Sequence, residues 1–127
     1  MENRMISVLP VKEKERLCEL YSNAKLSPTP LSGAVEATDG SSVLGFCLFE
    51  LSEKGIEIRS ICPESDILLA DGLLRSALHI AAGRSAMDAR FSDTVSEDLL
   101  SKLGFVKSSE EKKLDIDKLF GGCNCKG

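Results

Sequence analysis

No stretch of this sequence approaches the roughly 18 consecutive apolar residues that a membrane-spanning helix needs. Residues 1–8, Met-Glu-Asn-Arg-Met-Ile-Ser-Val, also lack the apolar run of a signal peptide. The expected location is therefore cytoplasmic. Positive charge is in deficit: 16 Lys and Arg stand against 20 Asp and Glu, for a formal net charge of −4. That balance excludes the basic face on which nucleic-acid binding depends. It also argues against an anionic membrane surface as partner. Histidine occurs once, at position 79, and there is no internal repeat or low-complexity linker. The five cysteines are an odd number, and without an export signal they are expected as reduced thiols rather than a disulfide framework.

What remains is the make-up of one globular domain. The chain has 127 residues, 43% of them hydrophobic and 28% charged. A chain this long buries roughly two-thirds of its unfolded surface, enough for a core without a metal or disulfide staple. Residues 5–11 read as a strand interrupted at Pro10. Residues 12–23 read as an amphipathic helix with Leu17, Leu20 and Tyr21 on its dry side. Pro28 and Pro30 make the next stretch a loop. Strands are expected over 33–38, 43–51 and 56–62, joined by turns at Asp39-Gly40 and at 52–55, so that they pair antiparallel. The strand at 43–51 is apolar on both faces and belongs inside the sheet.

From 66 to 83 the pattern becomes helical, with Ala70, Leu73, Leu74, Ala77, Leu78 and Ala81 in one stripe. Leu73, Leu74, Ala77 and Leu78 are expected to be buried together with Phe46 or Leu48. A strand at 86–91 and a short helix at 96–103 follow, the helix capped by Ser96 or Thr94 and stopped by Gly104. Strands at 105–107 and 112–116 and a turn at 117–120 complete the domain, leaving 121–127 as a loose tail.

Three segments in this order resemble the GNAT acetyltransferases over nearly the full chain: ISVLPVKEKERLCELY, GIEIRSICPESDILLADGLLRSALHIAA and DLLSKLGFV. The resemblance implies an α/β (α+β) fold, a twisted mixed sheet with helices on both faces, over residues 1–120. It also implies acetyl-CoA as cofactor and an amine as acceptor. The cofactor loop of that family corresponds here to 66–71 and the residues around it, so that Ile61, Cys62, Leu68, Leu69, Ala70, Asp71 and Gly72 are the implied cofactor-binding positions. Strand-end amides near Ile61 and Cys62 would polarise the thioester carbonyl. The family's glycines let backbone N–H groups approach a pyrophosphate at a helix N-terminus. Here Leu69 and Asp71 replace two of them, and Glu64, Asp66 and Asp71 bring three carboxylates with no Lys or Arg between Arg59 and Arg75. The tyrosine that serves many family members as general acid is replaced by Leu100. Glu57 and Glu50 are the candidate bases, expected opposite each other on a hairpin.

Other residues carry weaker signals. Asp71, Arg75 and His79 share a helix face at i, i+4, i+8 and read as a solvated stripe. Cys62 sits between a strand end and a helix start, where a thiol can become reactive. Cys18 and Cys47 are expected in the core. Cys123 and Cys125 offer two close thiols on a glycine-rich end, a candidate soft-metal or disulfide-exchange site that cannot close a four-ligand zinc site alone. Three functions stay open on these grounds: an acyl-CoA-dependent N-acetyltransferase, a non-catalytic GNAT-like module, and a thiol- or metal-handling protein acting through its tail. A homodimer is compatible with each.

Overall fold

A computed structural model describes residues 6–83, 88–116 and 119. The elements follow in the order β1 (Ser7–Pro10), α1 (Lys14–Asn23), β2 (Ser32–Thr38), β3 (Val43–Leu51), β4 (Gly55–Cys62), α2 (Ile67–Gly83), β5 (Asp88–Phe91), α3 (Glu97–Leu103), β6 (Val106–Ser108) and β7 (Lys113–Leu114). The seven strands form one sheet in the order β1-β2-β3-β4-β5-β7-β6. Among the described residues only β4 and β5 pair in parallel; the other neighbours are antiparallel. The chain is thus a mixed α/β domain, α+β in class. The expected turn at 117–120 lies largely outside the described residues, and the tail at 121–127, with Cys123 and Cys125, wholly so.

β3 organises the sheet because it is buried on both sides. Cys47 and Phe49 face α2 and join the larger core with Leu73, Leu74, Ala77 and Leu78. Leu48 faces the other way and packs with Leu20 and Tyr21 of α1 and Ala34 of β2, with Phe46 against their edge. The helices α1 and α2 therefore cover opposite faces. This corrects the expectation that Phe46 or Leu48 meets the α2 stripe. The stripe is as expected, but its partners are the odd-numbered residues of β3.

Arg16 of α1 pairs with Glu36 of β2, and a buried side chain also ties the helix to the sheet. The Tyr21 hydroxyl donates to the Phe49 carbonyl at 2.7 Å and lies 3.2 Å from that of Gly33. Burial raises its pKa. Cys18, expected in the core, is exposed. It sits about 100° round the helix from Leu17, off the dry stripe.

Two close approaches fix the strand ends. A Cβ on Gly45 would stand 2.4 Å from the Cys62 carbonyl oxygen and 2.8 Å from Pro63 Cδ. One on Gly55 would stand 1.8 Å from the Asp88 carbonyl oxygen, where β4 meets β5. Cys62-Pro63 is a cis peptide bond. The C-terminal half is closed by α3. Ser96 caps it by accepting from the Leu99 amide at 3.2 Å, and Gly104 ends it in the left-handed region at φ 82°. Phe105 then returns into the core with its amide on the Leu100 carbonyl at 3.2 Å. The Leu-Gly-Phe triplet is a helix stop followed by a core anchor.

Two stability measurements follow. Gly45→Ala is expected to destabilise by about 3 kcal/mol, because backbone must move to admit the methyl group. Gly72→Ala, where a Cβ meets nothing within 4 Å, should stabilise by up to about 1 kcal/mol through helix propensity. Urea denaturation of both variants checks the pair. Stability should also fall as pH rises through about 9. Burial pushes the Cys47 thiol up from its ordinary value of 9.0, so above that pH the unfolded chain loses a proton that the folded one keeps. The stabilising difference is fully present below pH 9 and lost above it. Cys47→Ala, compared with the parent at pH 7 and pH 10, should show a smaller alkaline loss.

Candidate functional site

The end of β4 and the start of α2 form the region where the resemblance seats a cofactor. The first turn of α2 carries the unpaired amides of any helix N-terminus. Asp66 satisfies part of that need from within the chain. Its carboxylate accepts from the Leu69 amide at 3.2 Å while its backbone carbonyl takes the Ala70 amide at 2.9 Å. This is an ordinary acidic N-cap, favoured also by the helix dipole. Glu64 and Asp66 are both exposed. Asp71 is drawn away from this end: its carboxylate pairs with Arg75 Nε at 2.9 Å, and the same guanidinium lies 5.1 Å from the centre of the Phe105 ring. The expected set of three unmatched carboxylates is therefore two. His79 lies exposed further along the same helix.

Beside the cap runs a groove of about 460 Å³. Ile6, just before β1, and Val8 of β1 line it on one side and Leu68, Leu69 and Gly72 of α2 on the other, with Leu44, Pro63 and Asp66 completing it. The groove is apolar apart from one carboxylate, and Leu68 keeps 86% of its surface in solvent. Of the cofactor positions implied by the resemblance, Leu68, Leu69 and Gly72 line this groove. Ile61 and Ala70 instead point into the main core, at 3% and 0% exposure. Cys62 is an exposed free thiol at the end of β4.

Nothing in the residue pattern marks the bulge in β4. Leu48 is opposite Ser60 and Phe49 is opposite Ile58, which leaves Arg59 as the extra residue. β5 pairs with β4 only as far as Ile58 and Phe91. Beyond that point the Ser92 amide reaches the Ile58 carbonyl at 3.0 Å and the Thr94 hydroxyl donates to the Arg59 carbonyl at 2.6 Å. Among the described residues, Ser60–Cys62 has no strand partner on the β5 side.

Glu50 and Glu57 are directly opposite each other across β3 and β4, as the hairpin reading expected. Their neighbours Phe49, Leu51, Ile56 and Ile58 pack on the α2 side, so the two carboxylates lie on the α1 side of the sheet. Glu50 forms an ion pair with Arg59 Nη1 at 3.1 Å and accepts from the Thr29 hydroxyl at 3.1 Å. Arg59 Nε is buried without a partner among the described residues. Both glutamates border a shallow hollow of about 300 Å³ with Lys54, Asp88 and Arg90. Glu57 is five residues before Cys62, about 16 Å along a strand, and on the face away from α2. The structure does not bring the two glutamates to the groove. A general base must come within hydrogen-bond reach of the proton it takes. Leu100 is fully buried and offers no proton.

No protein-family model matches the chain, and no curated protein matches its sequence.

The cap is open to a direct test. Asp66→Ala should cost about 1 kcal/mol of stability and Asp66→Asn much less, since an asparagine also accepts from the Leu69 amide. Thermal denataturation of the two variants against the parent measures the difference.

Proposed function

We propose that this domain is a non-catalytic GNAT-like module that works by binding. The element order, a strand, a helix, three antiparallel strands, a helix, a strand, a helix and two short strands, supports the GNAT-like part of the reading. The observation that carries the reading is the Asp66 carboxylate on the Leu69 amide. An anion seated at this helix N-terminus would have to displace that carboxylate and accept the charge of Glu64 beside it. A carboxylate and a phosphate a few Å apart repel by about 1 kcal/mol in water and by several when partly buried. The separation of Glu50 and Glu57 from the groove, and the leucine at position 100, remove the acid and base that transfer to an amine would use. Two carboxylates and an apolar channel suit an uncharged or cationic ligand better than a nucleotide-bearing thioester.

The second reading, an N-acetyltransferase using acetyl-CoA with an amine acceptor, draws on one observation. Among the described residues, Ser60–Cys62 has no strand partner on the β5 side beyond the Arg59 bulge, and bulges often re-aim backbone next to active sites. Amides exposed there would suit a thioester carbonyl.

Acetyl-CoA at about 1 mM separates the readings. A ligand with micromolar affinity would add about 4 kcal/mol to stability at that concentration, a plain rise in melting temperature. The expected result is no rise. Glu64→Gln combined with Asp66→Asn should permit a small rise that fades at high salt. A large rise in the parent, unchanged in the double variant, would restore the acetyltransferase.

A further inference from the structure

We infer that the free edge of β1 and the groove beside it form a docking site for an extended, basic peptide segment of another protein, which adds to the sheet as an eighth strand. The inference rests on the binding-module reading and names the partner of that same groove.

The edge comes first. Among the described residues β1 is the outermost strand, and its register with β2 runs Ser7 to Thr38, Val8 to Ala37, Leu9 to Glu36 and Pro10 to Val35. The Val11 amide donates to the Ala34 carbonyl at 2.9 Å, directly opposite it. In an antiparallel pair the bonded and non-bonded positions alternate. Ser7 and Leu9 therefore bond inward to β2, while the N–H and C=O of Val8 point outward. Pro10 shares that outward phase, which is why a proline is tolerated in the strand: the N–H it lacks would face the open edge. An added strand would find both backbone groups of Val8 and the carbonyl of Pro10.

The side chains agree with this phase. Val8 packs toward the α2 side, and Val8 and Ile6, just before β1, line one side of the groove. A residue paired with Val8 from an added strand shares Val8's face. Its side chain would enter the channel between β1 and Leu68 and Leu69. Among the described residues six large apolar side chains are exposed, and two of them, Ile6 and Leu68, line this groove, with Ile67 next to Leu68 in the chain. Ile6 is 48% exposed, Val43 50%, Ile67 41% and Leu68 86%. Strand addition takes affinity from main-chain bonds and specificity from pockets for alternate side chains.

Charge selects the occupant. The rim carries Asp66, Glu64 is exposed two residues before it in the chain, and no basic residue occurs between Arg59 and Arg75. A second copy joined through β1 would place two such acidic rims on one face of a continuous sheet, and each chain carries a formal net charge of −4. A partner segment with alternating apolar residues and lysine or arginine at one end complements the rim.

The probe is a blocked seven-residue peptide of alternating valine and threonine with two lysines at one end. A second version carries two glutamates in their place. Titration followed by amide NMR should move the Ile6 and Val8 signals saturably with the lysine peptide. Leu68→Lys, at a site with almost no packing to lose, should weaken binding at least about tenfold. The glutamate peptide should bind at least about tenfold more weakly at low salt, with the gap narrowing as salt is raised. Absence of a saturable shift, indifference to Leu68→Lys, or a dimer in sedimentation that occupies the same amides would overturn the inference. Acetyl-CoA is titrated in parallel. Tight acetyl-CoA binding would overturn the binding-module reading itself, whereas silence from both acetyl-CoA and peptide would overturn the docking site alone.

Discussion

β3 can be buried on both faces only if each of its side chains finds a dry partner above or below the sheet. Cys47 and Phe49 find α2, while Leu48 finds α1. That requirement sets where both helices lie, and with them the position of every feature considered as a site. The Tyr21 hydroxyl on the Phe49 carbonyl joins the two sides. Because α2 is held over β3 by its middle turns, its N-terminus is carried to the end of β4. There Gly45 leaves room for the Cys62 carbonyl and Pro63. The loop, cap and groove are consequences of that placement.

Much of this order was legible in the sequence. Period and punctuation located the helices and strands: the 3.6-residue stripe of α2, the Asp39-Gly40 turn and the Gly104 stop. The assignment of faces was not legible. A strand apolar throughout has no alternation to show which parity meets which helix, so the expectation that Phe46 or Leu48 meets α2 takes the wrong parity. The bulge at Arg59 was equally hidden, since one extra residue resets the period without altering composition. Cys18 shows the limit of hydrophobicity as a guide. An apolar type next to Leu17 suggested burial, but a quarter turn of helix carries it into solvent.

At the candidate site, residue types were readable and their engagements were not. Asp71 and Asp66 look alike in sequence at the head of α2. In the structure one is matched by Arg75 and the other caps its own helix. The hairpin placed Glu50 opposite Glu57, yet only the fold reveals that both lie on the face away from α2. Catalytic reasoning from sequence joins residues by type. Whether they share a cavity depends on strand parity, and here parity separates them.

The parallel seam between β4 and β5 has a consequence for how the chain reaches this state. It consists of four residue pairs, from Gly55 with Asp88 to Ile58 with Phe91, and α2 lies between the two strands in sequence. The antiparallel meander of β2, β3 and β4 closes through short turns, at small loop-closure entropy. The seam joins segments more than thirty residues apart and is the costlier closure. Among the described residues, it is the only strand pairing that connects β5, β7 and β6 to the rest of the sheet. The side chains that cross it, from Leu74 and Leu78 to Phe91 and Phe105, therefore determine how far the two halves of the molecule melt as one unit.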